Sequence, residues 1–172
     1  MEVIEAITKR RSIRHFASRE VEEWKLNSAL EAARWAPSSK NCQPWEFIIV
    51  RDRKALERIA EESTYGKHIA QAPLAIAFVT DPSKSKRHEV DGALATQNFS
   101  LAAWSLGLGT CWTGTMNREK VKEVLGIPAE KNLLTVLPVG YPSEEGWAHR
   151  EEVSSLVHFE KYGNRTSKDT KT

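Results

Sequence analysis

Pro37-Ser38-Ser39-Lys40-Asn41-Cys42-Gln43-Pro44-Trp45 divides two kinds of chain. Before it, Leu26, Ala29, Leu30 and Ala33 recur at i, i+3, i+4 and i+7. That is the spacing of an amphipathic helix over about 21–36, which Pro37 must end. After it, Trp45 to Val50 is an apolar run of strand length. A helix delivered through a polar loop into a buried strand is the unit of a layered helix-and-sheet domain. The loop also holds two hydroxyls, an amine and two carboxamides, more hydrogen-bonding capacity than such a turn requires. An ordinary polar turn is one reading of it. A second stretch, Arg10-Arg11-Ser12-Ile13-Arg14, adds complementary cationic chemistry and favours a binding role.

Working outward, residues 2–9 read as a short amphipathic helix whose last turn brings Lys9, Arg10 and Arg11 to a C-terminus, where basic groups suit the helix dipole. A charged helix follows the first strand at about 53–62, and Pro73 to Val79 is a second buried strand. Ser83 to His88 reads as a mobile surface loop carrying Lys84, Lys86 and Arg87. The longest helix spans about 89–106. Its Ala93, Ala95, Ser100, Ala102 and Ala103 suggest close packing against a second copy of itself across a dimer axis. Gly107 to Gly114 reads as a turn and third strand, and 117–125 as a helix stopped at Gly126. Leu133 to Val139 reads as a fourth strand broken by Pro138. The last thirty residues are polar, with short apolar runs suited to lying over a partner subunit.

With 172 residues, 40% of them hydrophobic and 28% charged, the chain has the size and composition of one globular domain. A net charge of +2, from 25 basic and 23 acidic residues, argues against nucleic acid as the partner. The longest apolar run, Ala72 to Val79, is too short to span a membrane, and no signal-peptide core is present. Cys42 and Cys111 read as reduced thiols of a cytoplasmic protein. Six tryptophans exceed the needs of one core and point to an interface or a planar ligand.

Several chemistries are excluded by spacing. Gly107-Leu108-Gly109 lacks the third glycine of a dinucleotide fingerprint, Trp112 standing in its place, and the helix precedes the strand. No Gly-x-Ser-x-Gly elbow occurs. His15, His68, His88, His149 and His158 show no metal-ligand spacing, and the Glu-Glu doublets read as solvated. Phosphate-binding capacity without acid–base machinery points to a cofactor that carries its own chemistry.

Arg10-Arg11-Ser12-Ile13-Arg14, Pro37-Ser38-Ser39-x-Asn41-x-Gln43-Pro44-Trp45, Gly107-Leu108-Gly109 and Pro138-Val139-Gly140-Tyr141-Pro142 together resemble the FMN-dependent nitroreductase family, over roughly residues 2–160. The resemblance implies an α+β fold, a three-layer α/β/α sandwich with a mainly antiparallel central sheet. It also implies an intertwined homodimer with FMN at the interface and ping-pong two-electron transfer from NADH or NADPH to a nitroaromatic, quinone or related acceptor. Residues 1–160 would form the FMN-binding domain and 161–172 a polar tail.

By position, the resemblance puts Arg10, Arg11 and Ser12 at the FMN phosphate and ribityl chain, joined by Arg150. Arg14 would lie by N1 and O2 of the ring, where a guanidinium favours the two-electron reduced flavin. Pro37, Ser38, Ser39 and Asn41 would reach the same flavin from the other subunit. The backbone of Cys111, Trp112, Thr113 and Gly114 would run along it, with an N–H of Thr113 or Gly114 toward N5. Lys67 and His68 lie near the position of pyrimidine-edge contacts in some members. The chain departs from many members at Thr113, where an acidic residue is common, and at Ala148, where lysine is common. Only a short loop follows Thr80 where larger members insert helices over the substrate, which implies an open pocket. Dehalogenation, flavin destruction and non-catalytic flavin binding are alternatives on the same scaffold.

Overall fold

The computed structural model describes residues 1–165, so the expected tail beyond Arg165 lies outside the described residues. Its middle layer is a four-stranded sheet of β1 (Trp45–Val50), β2 (Leu74–Thr80), β3 (Gly109–Thr110) and β4 (Asn132–Gly140). The spatial order is β1-β2-β4-β3, with every ladder antiparallel. Around it lie α1 (Val3–Lys9), α2 (Glu23–Arg34), α3 (Arg53–Glu61), α4 (His88–Ser105), α5 (Arg118–Leu125) and the short α6 (Val153–Leu156).

β2 is buried along its whole length because helices cover both faces of the sheet. Its side chains alternate between two cores, as a period of two requires. Leu74, Ile76 and Phe78 join Leu26, Ala29 and Ala33 of α2 and Ala95, Phe99 and Ala103 of α4. Ala75, Ala77 and Val79 join Leu56 and Ile59 of α3 and Val121 of α5 on the other side. Phe78 stands edge-on between Phe47 and Phe99, with ring centroids 5.2 and 5.6 Å apart. Each such fully buried aromatic contributes about 1.5–3 kcal/mol. The arrangement is the three-layer α/β/α sandwich expected from the sequence.

Local signals explain the boundaries. Asp52 caps α3 through Ala55 N at 2.8 Å, and Gly126 ends α5 in the left-handed conformation at φ 65°.

Three expectations are corrected. β4 runs unbroken through Pro138, which pairs with Ala75; the β3 ladder has ended by that point, so a missing amide is tolerated there. The third strand is only Gly109–Thr110, and the chain touches β4 again only at Thr113 opposite Val136. Farther along, the Arg118 guanidinium donates to the carbonyls of Leu133 and Gly114 at 3.0 and 3.1 Å. Three of the five small residues of α4 pack within its own chain, while Ala93 and Ala102 stay partly exposed. Ala95, Ser100 and Ala103 are buried inside it, and a Cβ on Gly92 would stand 2.5 Å from Thr80 Cγ2.

The segment 83–88 is pinned rather than loose. Asp81 accepts from Ser83 N at 2.9 Å and from its hydroxyl at 2.6 Å, and the buried Ser85 hydroxyl donates to Asp91 at 2.8 Å. Asp81 is itself held by Lys131 at 2.9 Å, and these contacts push its carboxyl well below the usual range.

An apolar surface remains uncovered. Val3 and Ile4 of α1 are 70% and 71% exposed, Ile7 is exposed on the same helix, α1 packs against α4, and Val90 and Leu94 of α4 are exposed as well. Trp24, Trp35, Trp112 and Trp147 are exposed as well, so only a minority of the tryptophans serve this chain's core.

Candidate functional site

The basic segment begins where α1 ends. Arg10 caps the helix and turns the chain extended, at φ −57° and ψ 134°. Arg11 folds back, its Nη1 donating to the carbonyls of Thr8 and Arg10 at 2.7 and 2.9 Å, so part of its charge satisfies the free end of the helix. Ser12 bridges Thr110 in parallel at the edge of the sheet, and Ile13 N donates to Thr110 O at 3.0 Å. Ile13 is fully buried against Gly109, where a Cβ would stand 2.6 Å from Ile13 Cγ1; glycine is required for this approach. The sheet thereby carries Ser12 beside Cys111.

Arg10, Arg11 and Ser12 line one cavity of about 200 Å³ with Trp147, Ala148, His149 and Arg150. Among the described residues none of the three arginines forms an ion pair. Burial, then the charges of Arg150 and Arg11, lowers the pKa of the Arg10 guanidinium. Three cations that repel one another around a small cavity constitute an anion site. The sequence-expected Arg10, Arg11, Ser12 and Arg150 are thus brought together.

Two residues that the sequence reading passed over hold the C-terminal segment there. Glu144 Oε1 accepts from the backbone N–H of Arg14 at 2.6 Å and of His15 at 3.1 Å, while Oε2 meets His15 Nδ1 at 2.7 Å. These contacts, the Arg14 amide first, hold the Glu144 carboxyl below its ordinary range. Glu144 belongs to a Glu-Glu doublet read as solvated; nothing local distinguishes it, and its partner lies 130 residues away. At Gly146 a Cβ would fall 2.3 Å from Arg11 Cβ, so the strand of chain leading to Arg150 crosses directly over the basic segment.

Arg14 itself is exposed, and its charge reaches both Cys111 and His68. Burial raises the pKa of the Cys111 thiol and Arg14 opposes that rise. The buried His68 imidazole is disfavoured as a cation by burial first and Arg14 second. Its Nε2 and the Thr113 hydroxyl are buried without a hydrogen-bond partner among the described residues. Trp112 is partly exposed beside Thr113, and the Thr113 carbonyl accepts from the Thr135 hydroxyl at 3.0 Å. Among the described residues no group of three or more His, Cys, Asp or Glu is placed to hold a metal ion.

Pro37, Ser38, Ser39 and Asn41 form a second group. Lys40, Asn41 and Gln43 have φ of 52°, 55° and 46°, left-handed values that side chains seldom adopt. The strained loop is held by the Ser38 hydroxyl, which accepts from Gln43 N at 3.0 Å, and by Asp91, whose Oδ1 accepts from Ser39 N at 3.0 Å. Asp91 lies in the first turn of α4 and Thr110 just past its end. At 1.5 Å per residue the two groups are therefore about 20 Å apart along the helix. Ser39 lines a different cavity from Arg10. One chain does not bring the two groups together.

The sequence profile of the Nitroreductase family matches residues 7–64 and 62–141. A protein of Methanothermobacter thermautotrophicus, provisionally named NADH dehydrogenase/NAD(P)H nitroreductase, is 39% identical over 169 residues, covering 94% of this chain and 88% of that protein. The FMN reductase [NAD(P)H] of Bacillus subtilis is 31% identical, covering 95% and 76%. Among solved structures, an FMN-dependent nitroreductase of Clostridium difficile superposes with a TM-score of 0.86 at 33% identity, covering 92% of this chain and 99% of that one.

Proposed function

The chain belongs to the nitroreductase family, and on that premise we propose that it is an FMN-dependent oxidoreductase that takes electrons from NAD(P)H and delivers them to a nitroaromatic, quinone or related acceptor. Residues 1–160 make up its FMN-binding domain. The observation that carries the reading is the cavity of Arg10, Arg11, Ser12 and Arg150, whose cations have no ion-pair partner among the described residues. The residues present fit FMN. Guanidinium groups and a hydroxyl suit a phosphate and ribityl chain, and the unpartnered Thr113 hydroxyl and His68 Nε2 leave hydrogen-bonding capacity for a polar ring edge.

Bound there, FMN supplies the redox chemistry, accepting a hydride and passing two electrons on. The chain's residues bind and orient. Arg10, Arg11, Ser12 and Arg150 hold the phosphate end. Arg14, fixed through its amide by Glu144, places a positive charge by N1 and O2, where reduction accumulates negative charge. The backbone of Cys111, Trp112, Thr113 and Gly114 lines the ring, with the Thr113 or Gly114 N–H toward N5. At Gly114 a Cβ would meet nothing closer than 3.8 Å, so the chain itself leaves that approach open.

The second group completes the site from another copy. Pro37, Ser38, Ser39 and Asn41 stand too far along α4 to reach the same flavin within one chain, and the exposed Val3, Ile4, Ile7 and Leu94 provide an apolar face for a homodimer. Two copies then share each FMN, with the C-terminal segment beyond Trp147 laid over the partner.

The test is an anaerobic absorption spectrum of the purified, FMN-saturated protein before and after NADH or NADPH. Flavin bands that bleach with either donor and recover with a nitroaromatic or quinone establish the activity. A protein that binds no FMN overturns it.

A further inference from the structure

Resting on that reading, we infer that the cleft between the 37–43 loop and the 82–87 turn is the seat for the phosphates of the donor dinucleotide, and that its charge selects NADPH over NADH. The cleft has a volume of about 460 Å³, and Lys40, Lys84, Lys86 and Arg87 all line it. None of these four cations forms an ion pair or donates a side-chain hydrogen bond among the described residues. No carboxylate lines the cleft. Of the carboxylates nearest in sequence, Glu89 is exposed in the first turn of α4 and outside the lining, while Asp81 is engaged with Lys131 and Ser83 and Asp91 with Ser39 N and the Ser85 hydroxyl.

The surface is built rather than incidental. The buried Ser85 hydroxyl accepts from Arg87 N at 3.0 Å while donating to Asp91, so one residue sets both the turn bearing the cations and, through Asp91, the opposing loop. Lys40 is held at a positive φ of 52° on that loop.

Position and charge identify the ligand. Ser39 and Lys40 line this cleft, and in the proposed homodimer their loop would cover the partner's flavin, so the cleft would open at the rim of the nicotinamide site. A nicotinamide stacked on the ring directs its phosphates outward to that rim. The pyrophosphate of NADH carries about −2, and the 2′-phosphate of NADPH adds about −1.5 to −2. Four unpaired cations match the larger charge.

The test uses the full-length, FMN-saturated protein. By calorimetry, adenosine 2′,5′-bisphosphate is expected to bind on the order of tenfold or more tighter than 5′-AMP. In the Lys84→Ala/Lys86→Ala/Arg87→Ala variant that difference disappears, and the ratio of kcat/KM for NADPH over NADH falls by a similar factor. Equal binding of the two nucleotides by the unaltered protein, or a donor ratio unmoved in the variant, overturns the inference. Failure of both donors to bleach the flavin instead overturns the oxidoreductase reading, so the two failures are told apart.

Discussion

Asp91 Oδ1 accepts the backbone N–H of Ser39 at 3.0 Å, so the first turn of α4 fixes a loop whose Lys40, Asn41 and Gln43 are all left-handed. Asp91 is almost fully buried and also receives the Ser85 hydroxyl. Asp91→Ala leaves the buried Ser85 hydroxyl and the part-buried Ser39 N–H unmet and is expected to cost about 1–3 kcal/mol for the buried donor and less for the other. Urea unfolding measures the loss. Hydrogen exchange at Ser39 in the same variant is expected to rise, and an unchanged rate there would show that the loop holds its shape without Asp91.

Glu144→Gln keeps an acceptor near Arg14 and His15 but removes the charge. Contacts with their amides depress the native pKa of Glu144 below the ordinary carboxylate value of about 4.3. A depressed pKa stabilises above the unfolded value, and that stabilisation is lost as pH falls through the folded one. The variant is therefore expected to melt lower at pH 7, by roughly 2–4 °C for each kcal/mol lost. The gap should close as pH falls below about 4. A gap that is constant with pH would assign the effect to shape alone.

Arg10→Ala separates binding from folding. Removing one of three mutually repelling cations is expected to leave the flavin-free protein as stable as before, while FMN affinity falls by on the order of ten- to a hundredfold. Fluorescence titration with FMN reads the second quantity and thermal melting the first. Undiminished FMN affinity would remove Arg10 from the site.

Gly109→Ala introduces a Cβ that would stand 2.6 Å from Ile13 Cγ1 and 2.7 Å from Ile13 Cβ. Overpacking of this kind costs typically 1–3 kcal/mol. Because Ile13 positions Ser12 and Arg14, FMN affinity is expected to fall with stability. A stable variant with normal FMN binding would show that the basic segment is placed by other contacts.

Ile4→Glu/Ile7→Glu charges the exposed face of α1. Sedimentation is expected to report a monomer that still unfolds cooperatively, and FMN affinity should fall about tenfold or more, because in the proposed homodimer the Pro37–Asn41 part of each site would come from the other copy. A monomer that retains FMN would place the whole site in one chain.

Much of the fold was legible because its signals are local. The i, i+3, i+4 recurrence of Leu26, Ala29, Leu30 and Ala33, the run Pro73 to Val79 and the stop at Gly126 each depend on residues within a few positions of one another. The motifs around Arg10 and Pro37 carried their hydrogen-bonding chemistry openly, and so pointed to the right family. Pro138 misled because its cost depends on whether a neighbouring strand needs its amide, and that is a property of the sheet.

By itself the sequence determined the layered helix-and-sheet architecture, the family, and the two polar stretches that matter. Each of these is written in short-range periodicity and in the identity of adjacent groups. Only the tertiary structure decided that Glu144 clamps the amides of Arg14 and His15, that Gly146 lets the chain cross Arg11, and that α4 holds the two stretches at opposite ends. Those are contacts between residues 52 to 135 positions apart, counted from Ser39–Asp91 and Arg11–Gly146. A carboxylate in a Glu-Glu doublet has the same local sequence whether it meets water or two backbone amides, and only the fold chooses between them.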